Sequence, residues 1–181
     1  MSNVHDVQAS LKAVPELTVT SETFEAGAAL PNAQVSGVMG AGGEDRSPQL
    51  SWSGAPEGTK SFVVTAYDPD APTGSGFWHW VVANIPADVT SLPEGAMVAD
   101  KIEADELQDA LVLKNDAGMP GFVGAAPPAG HGPHRYVFTV HAVDVEKLED
   151  VGGDATPAFL GFNLFFHGIA RGSVEAVFEA K

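Results

Sequence analysis

Two short segments of the sequence carry side chains that can do chemistry together. One reads D-P-D-A-P from Asp68 to Pro72, with His79 shortly after it; the other reads G-H-G-P-H-R-Y from Gly130 to Tyr136. A carboxylate such as Asp68 can hold one nitrogen of an imidazole, which leaves the other nitrogen as a donor and favours the charged imidazolium. Histidines so placed, with a phenol beside them, make a pocket that prefers an anion. Two prolines in five residues stiffen the first loop, so it loses little entropy on binding, and a bond such as Ala71–Pro72 can be cis. On an extended strand His134 and Tyr136 share one face and Arg135 takes the other. Arg135 is therefore a structural residue, holding loops together through bidentate bonds to carboxylate or carbonyl groups.

Residue type alone leaves plainer readings open. D-P-D-x-P is also an ordinary turn in which Asp caps backbone amides. His79, flanked by Trp78 and Trp80, can be a hydrogen-bonded core histidine, and Arg135 can simply neutralise nearby acids. His131 and His134 have H-x-x-H spacing, yet on a strand or turn that spacing sets them on opposite faces, so no metal is expected. His5, His141 and His167 show no partner in the sequence. There is no G-x-S-x-G elbow, no Walker loop and no H-E-x-x-H, which removes the common hydrolase and nucleotide-binding signatures.

These residues must be held by strands. Pro and Gly interrupt the chain every ten to fifteen residues and the apolar runs between them are short, a mainly β pattern. Strands are expected at Leu17–Thr20, Gln49–Trp52, Ser61–Tyr67, Trp78–Ile85, Leu111–Lys114, Arg135–Val143 and Val174–Glu179. SFVVTAYD and RYVFTVHAV, rich in β-branched and aromatic residues, are the central pair. One helix is expected over Thr156–Ala170, with a Thr N-cap, Pro157 at its first position and apolar residues at helical spacing. Gly161, Gly168 and Gly172 weaken or end it, and Gly161 marks close packing on the sheet. The glycine-rich stretch from Gly37 to Pro48 reads as flexible loop, and the acid-rich stretch from Ser91 to Gln108 as solvated loop or short exposed helix.

The 181 residues suit a single domain, with residues 1–16 as an N-terminal extension. Lys and Arg number 9 against 24 Asp and Glu, a formal charge of −15 that repels phosphate backbones, so no nucleic acid partner is expected. With no Cys there are no disulfides, thiolate metal sites or cysteine nucleophiles. The N-terminus lacks a basic, then apolar, leader pattern, and no long uncharged apolar run occurs; the expectation is a cytoplasmic protein without a transmembrane segment.

Four stretches together resemble the phosphatidylethanolamine-binding protein family, also called Raf kinase inhibitor protein-like, in its bacterial and especially actinobacterial branch. They are S-P-Q-L-S-W (Ser47–Trp52), Y-D-P-D-A-P (Tyr67–Pro72), F-W-H-W-V-V-A-N-I-P (Phe77–Pro86) and P-P-A-G-H-G-P-H-R-Y (Pro127–Tyr136). The resemblance spans residues 17–180 and implies a β-sandwich with one main helix near the C-terminus and a small anion cavity at one edge. It places Asp68, Asp70, Pro72, His79, Pro128, His134 and Tyr136 at that cavity, with Gly132 letting the backbone approach the anion. It implies a small anionic ligand, a phosphate monoester or phospholipid head group, a regulatory or sensing role without catalysis or cofactor, and a homodimer that uses the apolar run Ala158–Ile169. Animal members close the cavity with a helix after the last strand, where this sequence has two residues beyond Glu179; a more open cavity is implied. A hydrolase of a phosphorylated metabolite, with His79 or His134 as acid or base, and an inhibitor of a kinase or protease are the alternatives. The protein partner stays unspecified.

Overall fold

A computed structural model describes residues 10–181; His5 lies outside the described residues. In chain order the strands are β1 (Thr18–Thr20), β2 (Leu50–Ser53), β3 (Ser61–Asp68), β4 (Phe77–Pro86), β5 (Ser91–Leu92), β6 (Met97–Val98), β7 (Lys101–Ile102), β8 (Leu111–Val112), β9 (His134–Val143) and β10 (Gly168–Phe178). Helix α1 (Pro157–His167) precedes β10. The fold is thus mainly β with one helix near the C-terminus. A five-stranded antiparallel sheet runs β10-β9-β3-β4-β8, and a three-stranded sheet β1-β2-β5 packs against it. The two segments richest in β-branched and aromatic residues, β3 and β9, lie side by side in the middle of the large sheet.

Alternation along β3 sets the layers. Phe62, Val64 and Ala66 join Leu50, Trp52 and Phe138 in the core between the sheets. Val63 points the other way, into a smaller cluster with Val81, Leu113 and Leu160 of α1. Thr156 caps α1 by accepting from the Phe159 amide at 3.2 Å, and Pro157 starts it. Among the described residues no helix is long and apolar enough to cross a membrane.

Several expectations are corrected. The last strand opens at Gly168, directly after α1, rather than at Val174, because the long β9 offers a partner for each residue from Val143 back to His134. Gly172 sits in that strand, where a Cβ would lie 2.0 Å from the Leu17 carbonyl oxygen; it lets the segment before β1 run alongside β10. Gly161 has nothing within 4 Å of its would-be Cβ, so it marks open space rather than tight packing. The acid-rich stretch from Ser91 to Gln108 is not merely solvated, since Leu92, Ala96, Met97 and Leu107 are buried in the main core. Its apolar residues are spaced singly among acids and show no period. Ala71–Pro72 is trans, like all peptide bonds among the described residues.

Candidate functional site

Strand ends assemble the site. Asp68 ends β3 on the face that carries Phe62, Val64 and Ala66, and His134 and Tyr136 open β9 on the face that carries Phe138. His79 arrives by another route. Ala66 pairs with Trp80 but Tyr67 pairs with Trp78, so His79 is the extra residue of a β-bulge. Strict alternation from Trp80 would send His79 to the outer face; the bulge turns it back inside, a device found beside functional sites. Asp68, Pro72, His79, Pro128, His134 and Tyr136 all line one cavity of about 210 Å³. Met39, Ala71, Thr73, Phe77, Ala126 and Pro127, which sequence reasoning missed, complete its wall.

Asp70 and Gly132 are not among the lining residues. Asp70 turns away because Arg135 holds it: Nε and Nη2 donate to its two carboxylate oxygens at 2.9 and 3.0 Å, and the Arg135 amide adds a third bond at 2.9 Å. Desolvation works to raise the Asp70 pKa, but the hydrogen bonds from Arg135 outweigh it and hold the carboxyl below its ordinary value. Arg135 therefore ties the D-P-D-A-P loop to β9 from the side away from the cavity. Arg135→Lys keeps the charge and loses the planar fork; it is expected to lower stability by about 1 kcal/mol. In a chain of this size that is roughly 2–4 °C in a melting curve. Any affinity of the cavity for inorganic phosphate, the class of anion the resemblance implies, should change less than about twofold at low temperature, and unchanged melting with lost affinity would put Arg135 in the site.

Gly132 serves the turn instead, at φ 92°, a conformation that side chains rarely adopt. With Gly130 at φ 78° it folds His131 back onto β9, so that His131 Nδ1 lies 2.7 Å from His134 Nε2. The two rings meet rather than occupying opposite faces, because His131 precedes the strand and does not follow its alternation. A linear relay results. His134 Nδ1 donates to Asp68 Oδ2 at 2.6 Å, and Asp68 Oδ1 accepts from the Asp70 amide at 2.8 Å. Asp68 and His134 are almost wholly buried, whereas His131 is exposed. Nε2 of His134 is thus covered by an exposed residue of the turn.

His79 differs. Its Nδ1 lies 2.8 Å from the Val123 carbonyl oxygen, which can only accept, so Nδ1 carries the proton. Desolvation lowers the His79 pKa despite opposing contributions from that bond and from Asp68 and Asp116. At neutral pH His79 is therefore an uncharged ring protonated on Nδ1, not the imidazolium that residue type suggested.

The wall nearest Met39 is fixed by a residue the sequence did not single out. Buried Asp45 accepts from the Gly37 and Val38 amides through Oδ2 and from the Gly124 amide through Oδ1, each at 2.8 Å. One carboxylate so clamps the glycine-rich stretch to the segment that continues into Ala126–Pro128. That stretch is anchored at its acidic end rather than left free. Among the described residues no three His, Asp or Glu side chains are grouped to hold a metal ion. His167, without a partner in the sequence, pairs with Asp144 at 2.9 Å.

The family model described as phosphatidylethanolamine-binding protein matches residues 20–179. The chain belongs to that family. The UPF0098 protein YbhB of Escherichia coli (strain K12) is 48% identical over 163 residues, covering 90% of this chain and all of that one. YbcL of the same organism is 46% identical over 165 residues, 90% of this chain and 87% of its own. The crystal structure of YbcL, described as a new member of the mammalian family, superposes with a TM-score of 0.84 over 92% of this chain and 99% of that chain. A Chlamydia trachomatis homologue aligns at 0.73 with 30% identity, over 92% of this chain and 99% of that chain. These relatives place the chain close to bacterial family members.

Proposed function

We propose that the cavity binds a small phosphate-bearing anion, a phosphate monoester or a phospholipid head group, and that the protein acts in regulation or sensing without turnover. The observation that carries this reading is the Tyr136 hydroxyl. It is buried, has no partner among the described residues, and belongs to a residue that lines the cavity. Desolvation, then the negative charge of Asp68 and Asp70, pushes its pKa far above the ordinary phenol value, so it remains a donor at any working pH. A buried hydroxyl left unpaired is unfavourable by about 1–3 kcal/mol; a ligand oxygen would relieve that. His79 edge-on to Tyr136, with ring centroids 5.1 Å apart, sets the second contact.

Family membership supports ligand binding, and the family's name supports a head group with phosphate. A hydrolase acting through a covalent intermediate would need a nucleophile at the wall. Of the two lining hydroxyls, that of Thr73 is committed to the Gly76 carbonyl and that of Tyr136 is a phenol held protonated by its surroundings. The reading extends to a cytoplasmic homodimer of this single domain, built on the outer face of α1, where Phe159, Phe162, Phe165 and Phe166 are exposed.

The test is titration calorimetry with inorganic phosphate and O-phosphorylethanolamine. Tyr136→Phe should weaken both about tenfold, the loss of one charge-assisted bond, while leaving the melting temperature equal or higher because an unpaired hydroxyl is gone. A lowered melting temperature with unchanged affinity would show that the hydroxyl serves the fold. Turnover of a generic phosphate ester that disappears in His134→Ala would replace binding by hydrolysis.

A further inference from the structure

We infer that a second cavity, on the opposite face of the central sheet, is a binding site for a small apolar carboxylate. It has about 350 Å³, within the size range of small-molecule sites. Its floor is the outer face of β3, β4, β9 and β10, and its roof is α1, which contributes Leu160, Gly161 and Leu164. Trp78 and Val81 extend the apolar floor. None of the residues that line the phosphate cavity lines this one.

The charges are unevenly placed along it. At one end Arg135 is bound to Asp70, and Glu175 adds to the negative field around it, so that end is balanced. At the other end Arg171 makes no ion pair among the described residues. Its guanidinium donates to the Lys12 carbonyl at 3.2 Å, and the Lys12 ammonium reaches the Phe165 carbonyl at 3.4 Å on the rim. Burial alone pulls the Arg171 pKa down, with no carboxylate offsetting it. In a chain of net charge −15, two cations left on carbonyl oxygens at the mouth of an apolar cavity are a local inversion of sign.

His141 completes the polar end. It stands directly opposite Arg171 in the β9–β10 register and lines the same cavity. Burial, then the charge of Arg171, pushes its pKa down to about 3, so it is a neutral ring in ordinary buffers. A neutral imidazole offers one N–H donor, and a guanidinium offers a fork that matches a carboxylate. The apolar roof and floor take the rest of the molecule.

Alkyl carboxylates of increasing length test this on the full chain, by calorimetry with hexanoate, octanoate and decanoate. Saturable one-to-one binding that tightens roughly fourfold per methylene is expected until the cavity is full. Arg171→Gln should weaken decanoate about tenfold and leave 1-decanol unchanged. Gly161→Leu puts a side chain into open space, where no atom lies within 4 Å of the new Cβ. It also replaces a poor helix former by a good one, so it should abolish binding while the melting temperature holds or rises. Absence of saturable decanoate binding, or binding that persists in Gly161→Leu, would overturn the inference. Loss of decanoate binding in Phe162→Ser, on the exposed side of α1, would assign the alkyl chain to the surface and overturn it as well. Equal weakening of decanol and decanoate by Arg171→Gln would remove the carboxylate.

Discussion

Phosphate binding to this protein is expected to take up about one proton, and its affinity to fall about tenfold per pH unit above roughly pH 6.5. The cause is His79. Its Nδ1 proton is committed to the Val123 carbonyl, so in the neutral ring Nε2 presents a lone pair to the cavity wall. Desolvation keeps its folded pKa below 6.5, and at neutral pH the ring is therefore uncharged before ligand arrives. A phosphate dianion facing that nitrogen meets lone pair against lone pair. Binding must bring a proton to the contact, on the ring or on the phosphate, and the two descriptions are thermodynamically the same. For a phosphate monoester such as O-phosphorylethanolamine, below the second pKa of about 6 the ligand already carries it and affinity levels off. Calorimetry at pH 7.5 in two buffers of different ionisation enthalpy reads the uptake directly, and His79→Gln should abolish the slope. No net uptake in the wild-type protein would mean that His79 does not touch the anion. The same histidine acts on stability in the matching sense. Its depressed folded pKa means that the unfolded chain binds the proton more readily, so this contribution is fully present above pH 6.5 and is lost as pH falls toward the folded value.

Much of the fold could be read from the chain because its strands obey local rules. β3 and β9 are dense in β-branched and aromatic residues and buried along most of their length, and the cap and proline that start α1 are adjacent in sequence. The same parity gave Arg135 its outward direction, and the bidentate bond to Asp70 follows. What escaped was set by departures from alternation or by distance. His79 faces the cavity because of a bulge, which needs the partner strand to be seen. Asp45 clamps amides of Gly37, Val38 and Gly124, and one of these is far along the chain. His131 meets His134 through two positive-φ glycines in a turn, where neither helical nor strand periodicity applies. Asp70 looked equivalent to Asp68 in D-P-D-A-P, yet it lies in the turn beyond the end of β3, where alternation no longer applies and the bonds from Arg135 hold it away from the cavity.

Asp68→Ala is expected to be the most damaging single substitution at the site, and Asp68→Asn a mild one with an altered histidine. Both oxygens of Asp68 accept: Oδ1 from the Asp70 amide and Oδ2 from His134 Nδ1. Alanine leaves both donors without a partner in a buried setting, and the loss should be about 3–5 kcal/mol. Asparagine has one acceptor and one donor end. Keeping its oxygen on the Asp70 amide turns its NH₂ toward His134, a donor facing a donor. The clash disappears only if His134 moves its proton from Nδ1 to Nε2, which His131 Nδ1 can accept across the existing 2.7 Å contact. The relay thus gives asparagine a satisfied alternative, with a stability loss of about 1 kcal/mol, one weakened hydrogen bond. Nitrogen-15 shifts of the His134 ring distinguish the two tautomers, and the reversal should be visible in Asp68→Asn without ligand. In the wild-type protein Asp68 holds the His134 ring in place on the cavity wall through Nδ1. In Asp68→Asn that charge-assisted bond is lost, and phosphate should bind about tenfold more weakly. Unreversed shifts with unchanged phosphate affinity would mean that Asp68 holds the loop and has no part in orienting His134 for the ligand.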